Sequence, residues 1–170
     1  SGSSGISGVD GSSGATAAGF NFVPGTATSY GITGGAGSDT ITGGALNDTL
    51  AGGDGNDTID AKEGVNDIQG GAGNDVLTAG AGNDTITAST YLTALDTISG
   101  GDGTDTLAIA GGVALTATDY LIMNSALSGF ESVKFTSAIA GIDSSKLAIG
   151  TVTNYTFNSG DNVITKVGAD

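Results

Sequence analysis

The chain repeats a nine-residue pattern in register, and this periodicity constrains its fold more than any other feature. Four segments follow Gly-Gly-x-Gly-x-Asp-x-aliphatic-x at every position: 34–42, 52–60, 70–78 and 100–108. Imperfect copies at the same step lie between them, at 43–51, 61–69 and 79–87. An insertion of three residues around Tyr91 delays the pattern, which resumes at Asp96. We number the nine positions of each copy as slots one to nine.

Each copy divides into a glycine-rich turn and a short strand. Glycine adopts backbone conformations that a Cβ would penalise, so slots one to six predict a tight turn. Slots seven to nine, such as Thr40-Ile41-Thr42, place an aliphatic side chain on one face and two polar side chains on the other. Two copies complete a coil of 18 residues, and successive coils stack at roughly the 4.8 Å spacing of paired strands. The predicted fold is therefore all-β, a parallel β-roll or β-solenoid.

Residues 18 positions apart stack on the same edge of such a coil, so the slot-six residues form two rows. One edge collects Asp39, Asp57, Asp75 and Asp96, and the other collects Asp48, Asn66, Asp84 and Asp105. Carboxylates stacked at strand spacing repel one another unless a cation lies between them. Ca2+ is a hard cation that takes six to eight oxygen ligands, and glycine turns expose carbonyl oxygens beside the carboxylates. We therefore expect several Ca2+ ions, each between two stacked turns.

The predicted calcium-binding set combines the slot-six aspartates with glycines of slots two and four. It comprises Gly35, Gly37, Asp39, Gly44, Asp48, Gly53, Gly55, Asp57, Gly71, Gly73, Asp75, Gly80, Gly82, Asp84, Asp96, Gly101, Gly103 and Asp105. Two departures interrupt the pattern, because Leu46 replaces a slot-four glycine and Asn66 replaces a slot-six aspartate. Both count against the ions that turn 61–69 would share with its neighbours.

The composition excludes several classes of function. The formal net charge is −14, with 18 acidic residues against four lysines and no arginine, whereas nucleic-acid surfaces need clustered Lys and Arg. The absence of cysteine and histidine excludes disulfides, Ser-His-Asp and Cys-His machinery, and His-ligated zinc. Asp119 and Glu131 lie near apolar residues, and we interpret them as solvated charges at strand ends rather than as a catalytic pair. We expect no enzyme activity.

Membrane insertion is not expected either. No segment approaches the apolar length of a membrane span, and the first residues lack the charged-then-apolar pattern of a signal peptide. The chain instead divides by composition into a Gly/Ser/Ala-rich linker or N-terminal segment, the β-roll, and a β-rich extension or cap, at 1–19, 20–108 and 109–170. In the extension, Val133 alternates with Phe135 and Tyr155 alternates with Phe157, as in strands. Residues 119–127 fit a short helix or an apolar loop, and 160–165 resemble a decayed nonamer.

The nonamers resemble the calcium-binding repeats of the RTX family of bacterial proteins secreted by type I systems. Two further segments, GGDGTDTLAIAGG at 100–112 and LSGFESVKFTSA at 127–138, are similar to sequences of RTX-type surface-layer proteins. The resemblance implies a right-handed β-roll that binds several Ca2+ ions. It also implies export in an unfolded state, followed by folding outside the cell where calcium is abundant.

Three functions are compatible with this resemblance. The chain could be a structural module of an extracellular surface layer or surface protein, which would self-associate in a lattice. It could instead be the calcium-binding secretion and folding domain of a secreted protease or lipase, or a module of an RTX adhesin. We favour the structural module, with calcium and further copies of the chain as partners, and with no nucleic-acid partner. The expected location is extracellular, at the cell surface or secreted.

Overall fold

Strands make up all the regular secondary structure that the computed structural model describes, which covers residues 7–10, 21–22, 29–88, 96–109, 127–136 and 154–156. The strands are β1 (Ser7–Asp10), β2 (Asn21–Phe22), β3 (Gly31–Ala36), β4 (Thr40–Thr42), β5 (Thr49–Asp54), β6 (Thr58–Asp60), β7 (Asp67–Ala72), β8 (Val76–Ala81), β9 (Thr85–Ala88), β10 (Thr97–Asp102), β11 (Thr106–Ile109), β12 (Leu127–Ser128), β13 (Ser132–Phe135) and β14 (Asn154–Thr156). Within these ranges, no helix is long and apolar enough to cross a membrane.

The strands form two sheets, and the chain alternates between them. One sheet has the order β1-β3-β5-β7-β9-β11-β13-β14, and the other has the order β12-β10-β8-β6-β4-β2. The pairings within both sheets are parallel, as between β3 and β5 or between β4 and β6. Successive coils of one chain therefore stack on one another, and the predicted parallel β-roll is confirmed.

The slot-eight aliphatic residues determine the register of both sheets. Ile32 pairs with Leu50 and Leu50 with Ile68 in the first sheet, and the second sheet pairs its slot-eight residues in the same way. Their side chains fill the space between the sheets, and the nine aliphatic residues at this position are all buried: Ile32, Ile41, Leu50, Ile59, Ile68, Leu77, Ile86, Ile98 and Leu107. The insertion after β9 leaves this register intact, because Ile98 still pairs with Leu77.

Strands at both ends of the array continue the stack. In the N-terminal segment, β1 pairs with β3 and places Val9 opposite Ile32, so residues 7–10 form part of the sheet rather than of a linker. In the C-terminal extension, β13 pairs with β11 and places Val133 opposite Leu107. The other patterns noted in the extension, at 119–126, 157 and 160–165, lie outside the described residues.

Candidate metal centre

The slot-six carboxylates of the first edge form a buried ladder. One carboxylate oxygen each of Asp57, Asp75 and Asp96 accepts a hydrogen bond from the backbone N–H of the slot-six residue in the preceding coil. The Asp39 N–H donates to Asp57 Oδ1 at 2.8 Å, the Asp57 N–H donates to Asp75 Oδ1 at 3.0 Å, and the Asp75 N–H donates to Asp96 Oδ1 at 2.8 Å. None of these four side chains is more than 5 % exposed. The ladder joins neighbouring coils and orders the carboxylates along the edge.

The second edge has the same ladder and continues beyond the predicted residues at both ends. Asp48 Oδ1 accepts from the Tyr30 N–H at 2.7 Å, before the first nonamer. The Asn66 N–H then donates to Asp84 Oδ1, and the Asp84 N–H donates to Asp105 Oδ1, both at 2.8 Å. At the far end the Asp105 N–H donates to Glu131 Oε2 at 2.8 Å. Each slot-six side chain of the second edge therefore connects two coils.

The second carboxylate oxygen of the aspartates points towards the glycine of slot one. A Cβ on Gly34 would collide with Asp39 Oδ2 and lie 2.5 Å from the carbonyl oxygen of Gly52 in the next coil. A Cβ on Gly52 would likewise collide with Asp57 Oδ2 and lie 2.5 Å from the carbonyl oxygen of Gly70. A carboxylate oxygen from one coil and a carbonyl oxygen from the next thus converge at the same place in both of these repeats.

The surroundings of these converging oxygens show whether the site fits a metal ion. The Oδ2 atoms of Asp57, Asp84 and Asp105 are buried, and they accept no hydrogen bond from any residue that the structure describes. A buried anionic oxygen without a partner carries a large desolvation cost, which a bound cation offsets. The donors are carboxylate and carbonyl oxygens, the ligands that Ca2+ prefers. The residues therefore fit Ca2+.

Burial also acts on the protonation of these carboxylates. Desolvation raises the pKa of Asp57 from 3.8 to about 6, opposed by the hydrogen bond from the Asp39 N–H and reinforced by the charge of Asp75. Desolvation is also the main cause that raises the pKa of Asp75, Asp84 and Asp105. Each ionised form is destabilised by its surroundings, and a divalent cation would reverse that effect.

The predicted glycines of slots two and four shape the turns. Ten of the eleven have φ between 99° and 145°: Gly35, Gly37, Gly53, Gly55, Gly71, Gly73, Gly80, Gly82, Gly101 and Gly103. A Cβ on Gly53 would collide with the carbonyl oxygen of Gly35 in the coil before it, so the coils approach too closely for a side chain. Gly44 is the exception, because its φ is not in the left-handed region and its N–H instead donates to Asp48 Oδ2 at 2.7 Å.

Turn 61–69 departs most from the pattern. Lys62 occupies slot two with a φ of 73°, a conformation unusual for a residue with a Cβ, and its ammonium pairs with Asp60. Asn66 is 2 % exposed and keeps the ladder, because its Oδ1 accepts from the Asp48 N–H at 2.9 Å. Its Nδ2 lies 3.5 Å from the Glu63 carbonyl oxygen, to which it donates. An amide donor thus stands where the other coils have a carboxylate oxygen.

The candidate metal centre does not consist of side-chain carboxylates alone. Nowhere in the described residues do three or more His, Cys, Asp or Glu side chains cluster as a metal site. The candidate centre instead combines one slot-six side chain from each turn with backbone carbonyl oxygens. The slot-one glycines were missed by the sequence analysis, although each perfect repeat begins with two glycines and only the second has a positive φ.

Two other features were missed. Slot-five asparagines add an outer ladder: Asn47 Oδ1 accepts from the Val65 N–H and Asn56 Oδ1 from the Asn74 N–H, both at 2.9 Å.

The interpretation of Glu131 as a solvated strand-end charge is wrong. It is half-buried and bonds to the buried Asp105 backbone, because the turn before β13 brings it into the slot-six position. Asp119 lies outside the described residues.

Comparison with protein families agrees with this geometry. The family model of the RTX calcium-binding nonapeptide repeat matches residues 33–68, 60–90 and 95–112. The chain therefore carries RTX calcium-binding repeats, which bind several Ca2+ ions and form the β-roll described above. Comparison with curated proteins and with solved structures gave no match.

Proposed function

We propose that this chain is a calcium-dependent structural module of an extracellular bacterial surface-layer or surface protein. It folds on binding Ca2+ after secretion, and it acts as a scaffold and not as an enzyme. The observation that carries the proposal is the pair of buried carboxylate ladders. The second oxygens of Asp57, Asp84 and Asp105 are buried and accept no hydrogen bond from the described residues, so their ionised forms carry a desolvation cost that a bound cation would offset.

The two edges are proposed to bind calcium unequally. On the first edge, Asp57 Oδ2 is buried without a hydrogen-bond partner among the described residues and faces the Gly70 carbonyl across Gly52. On the second edge, Asp48 Oδ2 accepts a hydrogen bond from the Gly44 N–H, and the next coil offers Asn66 instead of a carboxylate. The predicted ligands of the first edge thus provide more charge and fewer competing bonds.

The C-terminal extension is proposed to cap the roll. Phe130 and Phe135 are both 0 % exposed and belong to the same core as the slot-eight residues. The end coils of a solenoid must differ from the internal ones, because core and strand groups would otherwise be exposed. Aromatic side chains larger than the internal Ile and Leu suit that position. The proposed module therefore comprises the repeats and the extension together.

Assembly on adding calcium tests the scaffold role. Purified protein in chelator should remain dispersed, whereas millimolar Ca2+ should produce ordered sheets visible by electron microscopy. Magnesium is the matched control, because it prefers a small octahedral shell with retained water and should not substitute. Protein that folds in calcium but stays monomeric at all concentrations would contradict the lattice role. That result would favour a secretion and folding domain of a larger secreted protein.

A further inference from the structure

We propose that Asp105, Glu131 and the carbonyl group of Gly129 form an additional calcium site, between the last nonapeptide repeat and the coil that follows it. The family match ends at residue 112, and no repeat pattern includes Glu131. The inference rests on the proposed role of the slot-six carboxylates in binding calcium. It adds a ligand that the nine-residue pattern does not identify.

The backbone places residues 127–136 as a further coil of the roll. Ile98 pairs with Leu127 in one sheet, and Leu107 pairs with Val133 in the other. The Ser132 N–H donates to the Asp105 carbonyl oxygen at 3.0 Å, just as the slot-seven N–H of Thr106 donates to the Asp84 carbonyl oxygen at 2.9 Å. Ser132 therefore takes the position of slot seven, and Glu131 takes the position of slot six.

The side chain of Glu131 makes the bond that a slot-six aspartate makes elsewhere. Its Oε2 accepts from the Asp105 N–H at 2.8 Å, and Asp105 Oδ1 accepts from the Asp84 N–H at the same distance. The turn between β12 and β13 is three residues shorter than the turn of a nonamer. Leu127 and Val133 are six residues apart, whereas Ile98 and Leu107, with which they pair, are nine residues apart. Glutamate is one methylene longer than aspartate, so its carboxylate reaches the ladder from this shorter turn.

The oxygens of this coil converge in the same way as those of the repeats. Asp105 is 0 % exposed, and its Oδ2 is buried with no hydrogen-bond partner in the described part of the chain. A Cβ on Gly100 would lie 2.7 Å from that Oδ2 and would collide with the carbonyl oxygen of Gly129. The Gly129 carbonyl thus takes the place that the Gly52 carbonyl has over Gly34. Gly129 has a φ of 68°, which a residue with a Cβ rarely adopts.

Two carboxylates and a carbonyl therefore meet between the last nonamer and the coil after it. The set consists only of oxygen donors and carries two formal charges, which suits Ca2+ and is poorly suited to softer metals. The site would close the second edge, which has Asn66 in its middle, with a charged pair at its C-terminal end.

Counting bound calcium in the full chain tests this site. Equilibrium dialysis should give one ion fewer for Glu131→Gln than for the unaltered protein. The glutamine oxygen can still accept from the Asp105 N–H, so the fold should persist in calcium. Glu63→Gln is the matched control, because Glu63 is exposed and is the only other glutamate of the chain. It should leave the count unchanged.

The outcomes separate this inference from the proposed function. If the unaltered protein binds no calcium, both fail. If it binds calcium and Glu131→Gln binds the same number of ions, the additional site alone is overturned.

A second measurement covers a variant that does not fold. In the unaltered, folded protein labelled at glutamate carboxyl carbons, replacing Ca2+ with diamagnetic La3+ should shift the 13C resonance of Glu131. The resonance of Glu63 should stay in place. Two unmoved resonances in a protein that has exchanged its calcium would also overturn the site.

Discussion

At the scale of the residue, slot six shows that asparagine and aspartate can occupy the same buried position. Asn66 accepts the ladder hydrogen bond at 2.9 Å and is 2 % exposed, close to the values of its aspartate neighbours. Replacing a slot-six aspartate by asparagine therefore removes a charge while keeping the bond between coils. The chain itself provides the precedent for such a probe of calcium binding.

Asp57→Asn should reduce bound calcium more than Asp48→Asn does. Asp57 lies between two unbroken glycine turns, and its Oδ2 accepts no bond from the described residues, whereas Asp48 Oδ2 already accepts from Gly44. Calcium titration by calorimetry should show the loss of about two ions from Asp57→Asn and of fewer from Asp48→Asn, since each ion contacts two stacked turns. Equal losses of calcium from the two variants would contradict the proposed difference between the two edges.

Sequence reasoning reached slot six through its repetition and missed Glu131 for the same reason. The slot-six residues recur at 18 residues, or at 21 across the insertion, but Glu131 follows Asp105 by 26 residues. A shorter turn and a longer side chain compensate for each other there, and neither leaves a periodic signal. The missed asparagine ladder is different, because its slot-five positions also recur and only the direction of their side chains was unknown.

At the scale of the element, the glycine turns determine how closely the coils approach. Slot-one glycines have ordinary backbone angles. Glycine is needed there only because neighbouring atoms leave no space for a Cβ. Gly31, in β3, has an ordinary backbone angle as well, but no atom lies within 4 Å of the place where its Cβ would be. The two kinds of glycine therefore separate the effect of close approach from the effect of backbone flexibility.

Gly52→Ala should weaken calcium binding and stability, and Gly31→Ala should not. A Cβ on Gly52 would displace Asp57 Oδ2 and the Gly70 carbonyl, the oxygens that converge on the proposed ion. We expect the calcium midpoint of folding to rise about tenfold or more, the equivalent of roughly 1.4 kcal/mol for each bound ion. Gly31→Ala should be neutral or stabilise by about 0.4–1 kcal/mol. Circular dichroism during calcium titration measures both, and similar midpoints for the two variants would refute the close-approach argument.

The C-terminal extension provides a second test at the scale of the element. Phe135 in β13 is 0 % exposed and pairs with Ile109, whereas its neighbour Lys134 points to solvent. Phe135→Ala should lower the free energy of unfolding in calcium by about 3–5 kcal/mol, the usual cost of emptying a buried aromatic site. Lys134→Ser should leave it within about 0.5 kcal/mol. If urea unfolding gives the same midpoint for both, the extension does not cap the roll.

The strands were predictable to the extent that their residues repeat. Slot eight alone gave the register of both sheets, because a shift by one residue would turn every Ile and Leu outward. The segment that contains β1 has the composition of a Gly/Ser-rich linker. In β1 only Val9 takes a slot-eight position, because it pairs with Ile32. The strand β12 begins at Leu127, inside a segment that fitted either a helix or a loop. Isolated apolar residues of this kind carry no period from which pairing could be inferred.

At the scale of the whole molecule, the paired strands, the slot-eight core and the slot-six ladders all join one coil of the roll to the next. Each coil contacts only its neighbours, as in other solenoids, so the stability depends on every interface between coils. The interior holds one aliphatic side chain per nonamer, and the formal charge of the chain is −14. We expect bound calcium to stabilise the roll, because it would neutralise charge and join adjacent coils. Its binding free energy would then become folding free energy.

Far-ultraviolet circular dichroism of the full chain, recorded in chelator and then during addition of Ca2+, tests this account most directly. We predict a largely disordered spectrum in chelator. A β-type spectrum should appear cooperatively with a midpoint in the range of about 10⁻⁴–10⁻³ M that is usual for extracellular calcium modules, or tighter through cooperativity. Magnesium at the same concentrations should leave the chain disordered. A β-type spectrum that is already complete in chelator and does not change when Ca2+ is added would contradict the account.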